Sequence, residues 1–329
     1  MLDEIKKNIP AEWSVKYVLC RAYSILRISN HDDEIKESFH RCLREYGSNN
    51  FDILVLLGNG NRSFTEQKPH YFLNESDLLE VNFESINRTL PDGRDLLMLI
   101  YPIKNIYIEE LLENQIIGDA EEKLDQAMGM IKLYFGVNAG KEKYFDHIVD
   151  LQDGSTNSFI EATHTAPTMI QGVKLDANSI NDFKQRSTYL KNYSGLKIVK
   201  DRILRGCEIV ELASLNAPGL KLAFYFMAME CILGDLWKGN QIVGELARHY
   251  QQSEEYVETT LRLDSILDWR ARYFHRGEFV NLDQNSERYF HCVILDFMDH
   301  FLNSGCNQYA AEFLKNGLEI LFVENVIKK

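Results

Sequence analysis

The pattern of apolar and polar positions changes near residue 185. Before it, short apolar runs alternate with polar breaks. After it, long stretches repeat apolar residues every three or four positions, the period of a helix with one buried face. In the first part, residues 13–26 are apolar-rich and read as a helix or a strand. Residues 31–46 have helical spacing, with Ile35, Phe39 and Leu43 on one side. The run Phe51-Asp-Ile-Leu-Val-Leu-Leu, followed by Gly58-Asn-Gly-Asn, reads as a buried strand ending in a turn. Asp95-Leu-Leu-Met-Leu-Ile-Tyr-Pro reads as a second strand. Residues 119–135 predict a helix capped by Asp119, with a stripe of Leu124, Met128, Ile131 and Phe135. Residues 145–151 fit a third strand, and the Ser-, Thr- and Asn-rich stretch 152–168 a loop.

Beyond that loop the pattern predicts helices over 189–214, 220–233 (closed by Gly234), 240–250, 253–275, 287–302 (closed near Gly305) and 307–323. Ser253 and Glu255 suit the first turn of the 253–275 helix. The expected architecture is α+β: a mixed α/β domain over 1–180, then an all-α bundle over 185–329. No run of 18 apolar residues is present, so no membrane span and no membrane partner are expected. The first residues carry acids and lack an apolar run, so a signal peptide is not expected either. The six cysteines are scattered, with no C-x-x-C pair. Buried thiols in a reducing cytoplasm are expected, with no metal and no cofactor.

Charge narrows the function classes. A net charge of −13 repels nucleic acid over most of the surface, so any RNA contact has to be a local basic cleft. One segment supplies cations: Leu267-Asp-Trp-Arg-Ala-Arg-Tyr-Phe-His-Arg-Gly277. Arg270 and His275 form an R-x4-H pair at a predicted helix end, with Arg272 and Arg276 beside them. Upstream, an unusually apolar helix carries one carboxylate, Glu230. RNA cleavage without a metal needs a base for the 2′-hydroxyl proton, an acid for the leaving 5′-oxygen, and a cation for the phosphorane charge. Histidine titrates near neutrality, and arginine grips phosphate with a planar fork. Positions five apart lie about 140° apart around an α-helix. Either the helix loosens near Gly277, or the motifs of two chains meet across a twofold axis. The plainer readings are His275 as a helix-end cation, Glu230 as the buried partner of an arginine, and Phe224-Tyr-Phe as core. His291 and His300 read as core or edge residues.

The order of these features resembles the HEPN superfamily, in particular its Apea-like branch. Ala228-Met-Glu-Cys-Ile-Leu-Gly234 stands where that family has A-L-E-x-L-L-G, and Ile242-Val-Gly-Glu-Leu-Ala247 where it has I-A-x-x-L-A. The R-x4-H segment follows in order, so the resemblance covers about 140 residues. It implies an all-α fold, a homodimer with facing motifs, and metal-independent endoribonuclease activity in antiphage defence or toxin-like RNA cleavage. Arg270 and His275 would be the catalytic pair, Glu230 would orient Arg270, and Arg272 and Arg276 would support them. Ala271 departs from the family, where a polar residue usually follows the arginine; Arg276 displaces the usual glycine and adds a cation where phosphate would bind. A non-catalytic dimerisation or scaffold module is the alternative. The first half would then be a sensor or regulator, or bind a nucleotide or small-molecule trigger.

Overall fold

A computed structural model describes residues 2–26, 33–58, 63–73, 79–89, 94–103, 114–135, 142–152, 156–158, 175–216, 218–234, 240–278, 282, 284–304 and 307–315. The fold is α+β. The chain divides into two compact units, one formed by 1–124 and 140–166, the other by 125–139 and 167–329.

The first unit contains α1 (Leu2–Asn8), β1 (Tyr17–Leu26), α2 (Asp33–Phe51), β2 (Leu54–Gly58), β5 (Arg94–Ile103), β6 (Glu142–Asp150) and β7 (Thr156–Ser158). The strands form an antiparallel sheet in the order β2-β5-β1-β6-β7, with Cys20 opposite Ile100 on one side and His147 on the other. Both faces are buried, so β1 and β5 read as nearly continuous apolar runs rather than alternating ones. One face presents Val18, Cys20, Ala22, Leu54, Leu56, Met98 and Ile100, packed with Ile5 and Trp13. The other presents Leu19, Tyr23, Val55, Leu97 and Leu99, and α2 packs here through Phe39, Leu43 and Gly47. Arg21 is also buried there, with Glu121 at 3.6 Å.

Three strands have no counterpart in the sequence reading: β3 (Ser63–Leu73), β4 (Leu79–Thr89) and the short β7. The first two pair as an antiparallel ribbon from Ser63 opposite Thr89 to Leu73 opposite Leu79. Their sequences, with Glu66, Lys68, Glu84 and Arg88 scattered through them, lack a long apolar run. The stretch expected to be only loop contains β7, while 159–168 lies outside the described residues. The turn at Asn59-Gly-Asn lies outside them too.

Helix α3 (Asn114–Phe135) begins five residues before Asp119, which is therefore an interior residue and not its cap. Its residues from Asp125 onward belong to the second unit, although the sequence assigns them to the first. That unit continues with α4 (Ala177–Asn192), α5 (Lys197–Leu215), α6 (Pro218–Leu233), α7 (Asn240–Tyr250), a π-helical turn (Tyr256–Thr260), α8 (Leu263–Arg276), α9 (Gln284–Leu302) and α10 (Tyr309–Lys315). The segment read as one helix over 253–275 is broken by Leu261 and Arg262, the latter in the left-handed region at φ 56°. Helix α9 ends at Leu302, as the pattern predicts, with Asn303 following at φ 50°; Gly305 lies outside the described residues.

Every residue of α9 from Ser286 to Asp299 is buried. A helix enclosed on all sides buries its polar residues as well, and each of these needs a partner. Glu287 accepts from Lys221 Nζ at 2.7 Å and from the Tyr225 hydroxyl at 2.5 Å. Arg288 donates to the carbonyls of Leu133 and Tyr134 at the end of α3, where a cation is favourable. Asp296 accepts from the Tyr250 hydroxyl and from the N–H groups of Tyr309 and Ala310, so it caps α10 across space. Asp299 pairs with the buried Arg186 of α4 at 2.8 Å.

Helix α3 approaches α5 at Gly129. A Cβ built there would lie 1.8 Å from the Cys207 carbonyl oxygen. Backbone is on the receiving side, so no rotamer change can relieve the overlap. Gly129→Ala is expected to destabilise the chain by about 3 kcal/mol despite the better helix propensity of alanine. A lowered urea midpoint with an unchanged m-value would register it.

The buried aspartates set a pH dependence. Burial pushes Asp296 up to about 8 and Asp299 up to about 7, from an ordinary 3.8, outweighing the donors around each. The folded chain then holds protons that the unfolded chain has lost, so this contribution is full below about pH 4 and is lost as pH rises to 8. Burial holds His291 well below its ordinary 6.5, as it lowers His249. Their contributions run the other way and are confined to pH below about 6.5. Between about pH 6.5 and 8 the aspartates act alone, and stability is expected to fall. Urea midpoints at the two pH values check this, and Asp296→Asn should remove most of the difference.

Candidate functional site

Helices α6 and α8 are held together by two matched i,i+4 pairs. Phe226 and Glu230 lie on α6; Phe274 and Arg270 lie on α8. The Phe226 and Phe274 rings sit edge to face at 6.4 Å between centroids. Arg270 donates through Nε and Nη2 to the same oxygen of Glu230, Oε1, at 3.1 and 2.8 Å. The guanidinium also lies 5.7 Å from the Phe274 ring centre, a cation–π contact. These pairings run antiparallel, Phe226 with Phe274 and Glu230 with Arg270.

Exposure separates this pair from a core ion pair. The Arg270 and Glu230 side chains are 30% and 35% exposed, whereas Lys132 and Glu211 are wholly buried. The fixed guanidinium is therefore within reach of a solute. Trp269, Ile266 and Leu263 form the buried side of α8 and hold it in register. The helix remains α-helical through Arg276 and then stops at Gly277, whose φ of 64° suits a residue without a Cβ. The N–H of Glu278 donates to the Arg272 carbonyl at 3.2 Å.

Of the two geometries open to the R-x4-H pair, the loosened helix is not the one adopted. Continuous α-helix carries His275 about 140° around from Arg270. His275 is exposed on the last turn with Arg276. Arg272 lies on their side, because i,i+3 and i,i+4 positions share a face. Its Nε donates to Glu278 Oε2 at 2.5 Å, tying the helix end to the chain that follows. The five residues singled out in the sequence thus fall into two groups, Glu230 with Arg270, and Arg272 with His275 and Arg276.

The sequence reading missed the aromatic half of this arrangement. Phe274 is 47% exposed and so is Met227; Leu220 is 45% exposed. The signal for Phe274 was its i,i+4 spacing from Arg270, and for Met227 its i,i+3 spacing to Glu230. By contrast, the middle of Phe224-Tyr-Phe is core as expected, with Tyr225 and Phe226 fully buried. His291 is buried beside the Tyr225 hydroxyl, with Nε2 at 3.0 Å, and His300 meets Glu245 at 2.9 Å. His31 lies outside the described residues.

The first unit contains a cavity of about 570 Å³ bordered by Trp13, Glu37, His40, Arg41, Arg44 and Asp52. The Trp13 indole donates to Asp52 at 3.2 Å, and the Leu57 N–H donates to His40 Nε2 at 3.4 Å. Among the described residues no cluster of His, Cys, Asp and Glu could hold a metal, and no helix is long and apolar enough to cross a membrane. Four of the six cysteines, Cys20, Cys42, Cys207 and Cys292, are buried free thiols. No protein-family model, curated protein or solved structure matches this chain.

Proposed function

We propose that this chain is a metal-independent endoribonuclease of the HEPN type, acting as a homodimer, with Arg270 and His275 as its catalytic pair. One observation carries the reading: a partly exposed arginine is fixed by a carboxylate on a neighbouring helix, and an exposed histidine follows five residues later. Such an arginine is pre-oriented for a phosphate and needs no rearrangement as charge develops. Glu230 is its positioning residue.

The chemistry is transesterification. The 2′-oxygen attacks phosphorus, the bond from phosphorus to the 5′-oxygen breaks, and a 2′,3′-cyclic phosphate and a 5′-hydroxyl result. The proton leaves the 2′-hydroxyl for one imidazole, and another donor protonates the 5′-oxygen. A twofold axis supplies both from two copies of His275. The exposed Leu220, Met227 and Phe274 give that axis an apolar surface to bury. Antiphage defence or toxin-like RNA cleavage is the biological setting of this proposal, with the first unit as its sensor or regulator.

Cleavage of single-stranded and structured RNA by the purified chain in EDTA tests the activity. Met227→Glu is expected to shift the sedimentation coefficient to that of a monomer and to lower cleavage at least tenfold, since each site needs two chains. A Met227→Glu monomer with full activity would overturn the composite site. The second reading is a non-catalytic dimer. Ala271 favours it, because no polar side chain stands beside Arg270 to assist. Its signature is a stable dimer inactive towards every RNA tried.

A further inference from the structure

The histidine side of α8 carries an anchored cation of its own. Arg272 precedes His275 by three residues and Arg276 by four, so the three side chains share a face. Arg270 lies about 140° around the helix from His275. At Gly277 the chain turns back with φ 64°, and the N–H of Glu278 donates to the Arg272 carbonyl at 3.2 Å. That reversal brings the Glu278 carboxylate onto the Arg272 side chain. Its Oε2 accepts from Arg272 Nε at 2.5 Å, and the Arg272 and Glu278 side chains are 15% and 28% exposed. The contact repeats the one at Arg270, where Nε and Nη2 donate to Glu230. Two arginines of one helix are thus each fixed through Nε by a carboxylate from outside that helix.

We infer that Glu278 is the positioning residue for Arg272, and that Arg272 is the guanidinium that grips the scissile phosphate beside His275. The inference rests on the nuclease reading above and adds a member to its site. Proton transfer works only over hydrogen-bond reach, so a phosphate whose 2′- or 5′-oxygen meets His275 lies on that face of α8. Arg270 of the same chain is on another side; in the proposed dimer the facing copy supplies it. Arg272 is the cation that already stands there. A carboxylate on Nε sets the plane of the guanidinium, and its five N–H donors allow a phosphate to be bound in addition to its partners within the chain. A guanidinium held in place before the phosphate arrives needs no reorientation as the phosphorane charge develops.

Exchanging the two residues separates this role from a plain tie across the helix end. Arg272→Glu with Glu278→Arg keeps the net charge and an ion pair, but moves the guanidinium to the far side of that pair. The full chain is assayed in EDTA for cleavage of a fluorescent unstructured oligoribonucleotide of about twenty nucleotides, with thermal midpoints measured alongside. Arg272→Glu alone sets two carboxylates together and is expected to lower the midpoint; the exchange should recover most of that loss. Its kcat/KM is expected to stay about a hundredfold below wild type, as for the loss of one preorganised donor. Recovery of both midpoint and cleavage would overturn the inference, because a tie that serves only the fold works in either orientation. If the exchange does not recover the midpoint, Glu278→Gln decides. It keeps an oxygen for Arg272 Nε without the charge and, at a temperature where it is fully folded, is expected to lower kcat/KM about tenfold. Wild-type cleavage by that variant overturns the inference and leaves the nuclease reading standing. A wild-type chain that cleaves no RNA ends the nuclease reading itself, and with it the place of Arg272 in catalysis.

Discussion

Alanine at His275 is expected to leave the fold intact and to slow RNA cleavage by about a thousandfold. The side chain is exposed on the last turn of α8, so its removal opens no cavity and strands no partner. The thermal midpoint should stay within about a degree of wild type, as for other exposed substitutions. On the proposed mechanism what disappears is proton transfer, and general acid–base catalysis is typically worth 10² to 10⁴ in rate. Arg270 is the companion case. Lysine there keeps the charge but loses the fork that meets both Glu230 and a phosphate, so Arg270→Lys should also lose most activity. Cleavage within threefold of wild type in His275→Ala would remove the histidine from the mechanism and leave the exposed Arg270 as an ordinary surface ion pair.

The largest stability effect is expected at Lys132. Its Nζ lies 2.5 Å from Glu211 Oε2 and donates to Ser214 Oγ at 2.5 Å, and both charged side chains are wholly buried. Removing one partner leaves a charge in a medium that cannot solvate it, at a cost of about 3–5 kcal/mol. Lys132→Met is therefore expected to unfold the chain at a urea concentration well below the wild-type midpoint. Lys132→Met combined with Glu211→Leu removes both charges and should recover most of the loss, because a buried pair and an apolar pair of similar volume are often nearly equal in stability. A double variant no more stable than the single one would mean that shape rather than charge sets the cost. RNA cleavage by the double variant should match wild type, since neither residue adjoins Glu230 or Arg270 in sequence or in hydrogen bonding.

Much of the helical unit was legible because its helices are long and its chemistry is local. Helix α7 spans the residues that the pattern predicts, and α6 ends at Leu233 before Gly234. The pairing of Arg270 with Glu230 was implied by the family resemblance, whereas the apolar helix by itself called only for some nearby arginine. The apolar period did not reveal β3 and β4, which pair with each other. It also passed over the break at Arg262, because a single left-handed residue leaves the spacing of apolar residues almost unchanged.

The sequence by itself determined the α+β composition, the helical character of the later part of the chain, and the residues that carry candidate chemistry. These follow from side-chain type and spacing, which are local properties. Tertiary structure alone decided that α9 is enclosed on every side and that the second half of α3 joins the helical unit. Each of these depends on which surfaces are covered by residues distant in the chain, and the free energy of covering them has no representation in the order of neighbouring residues.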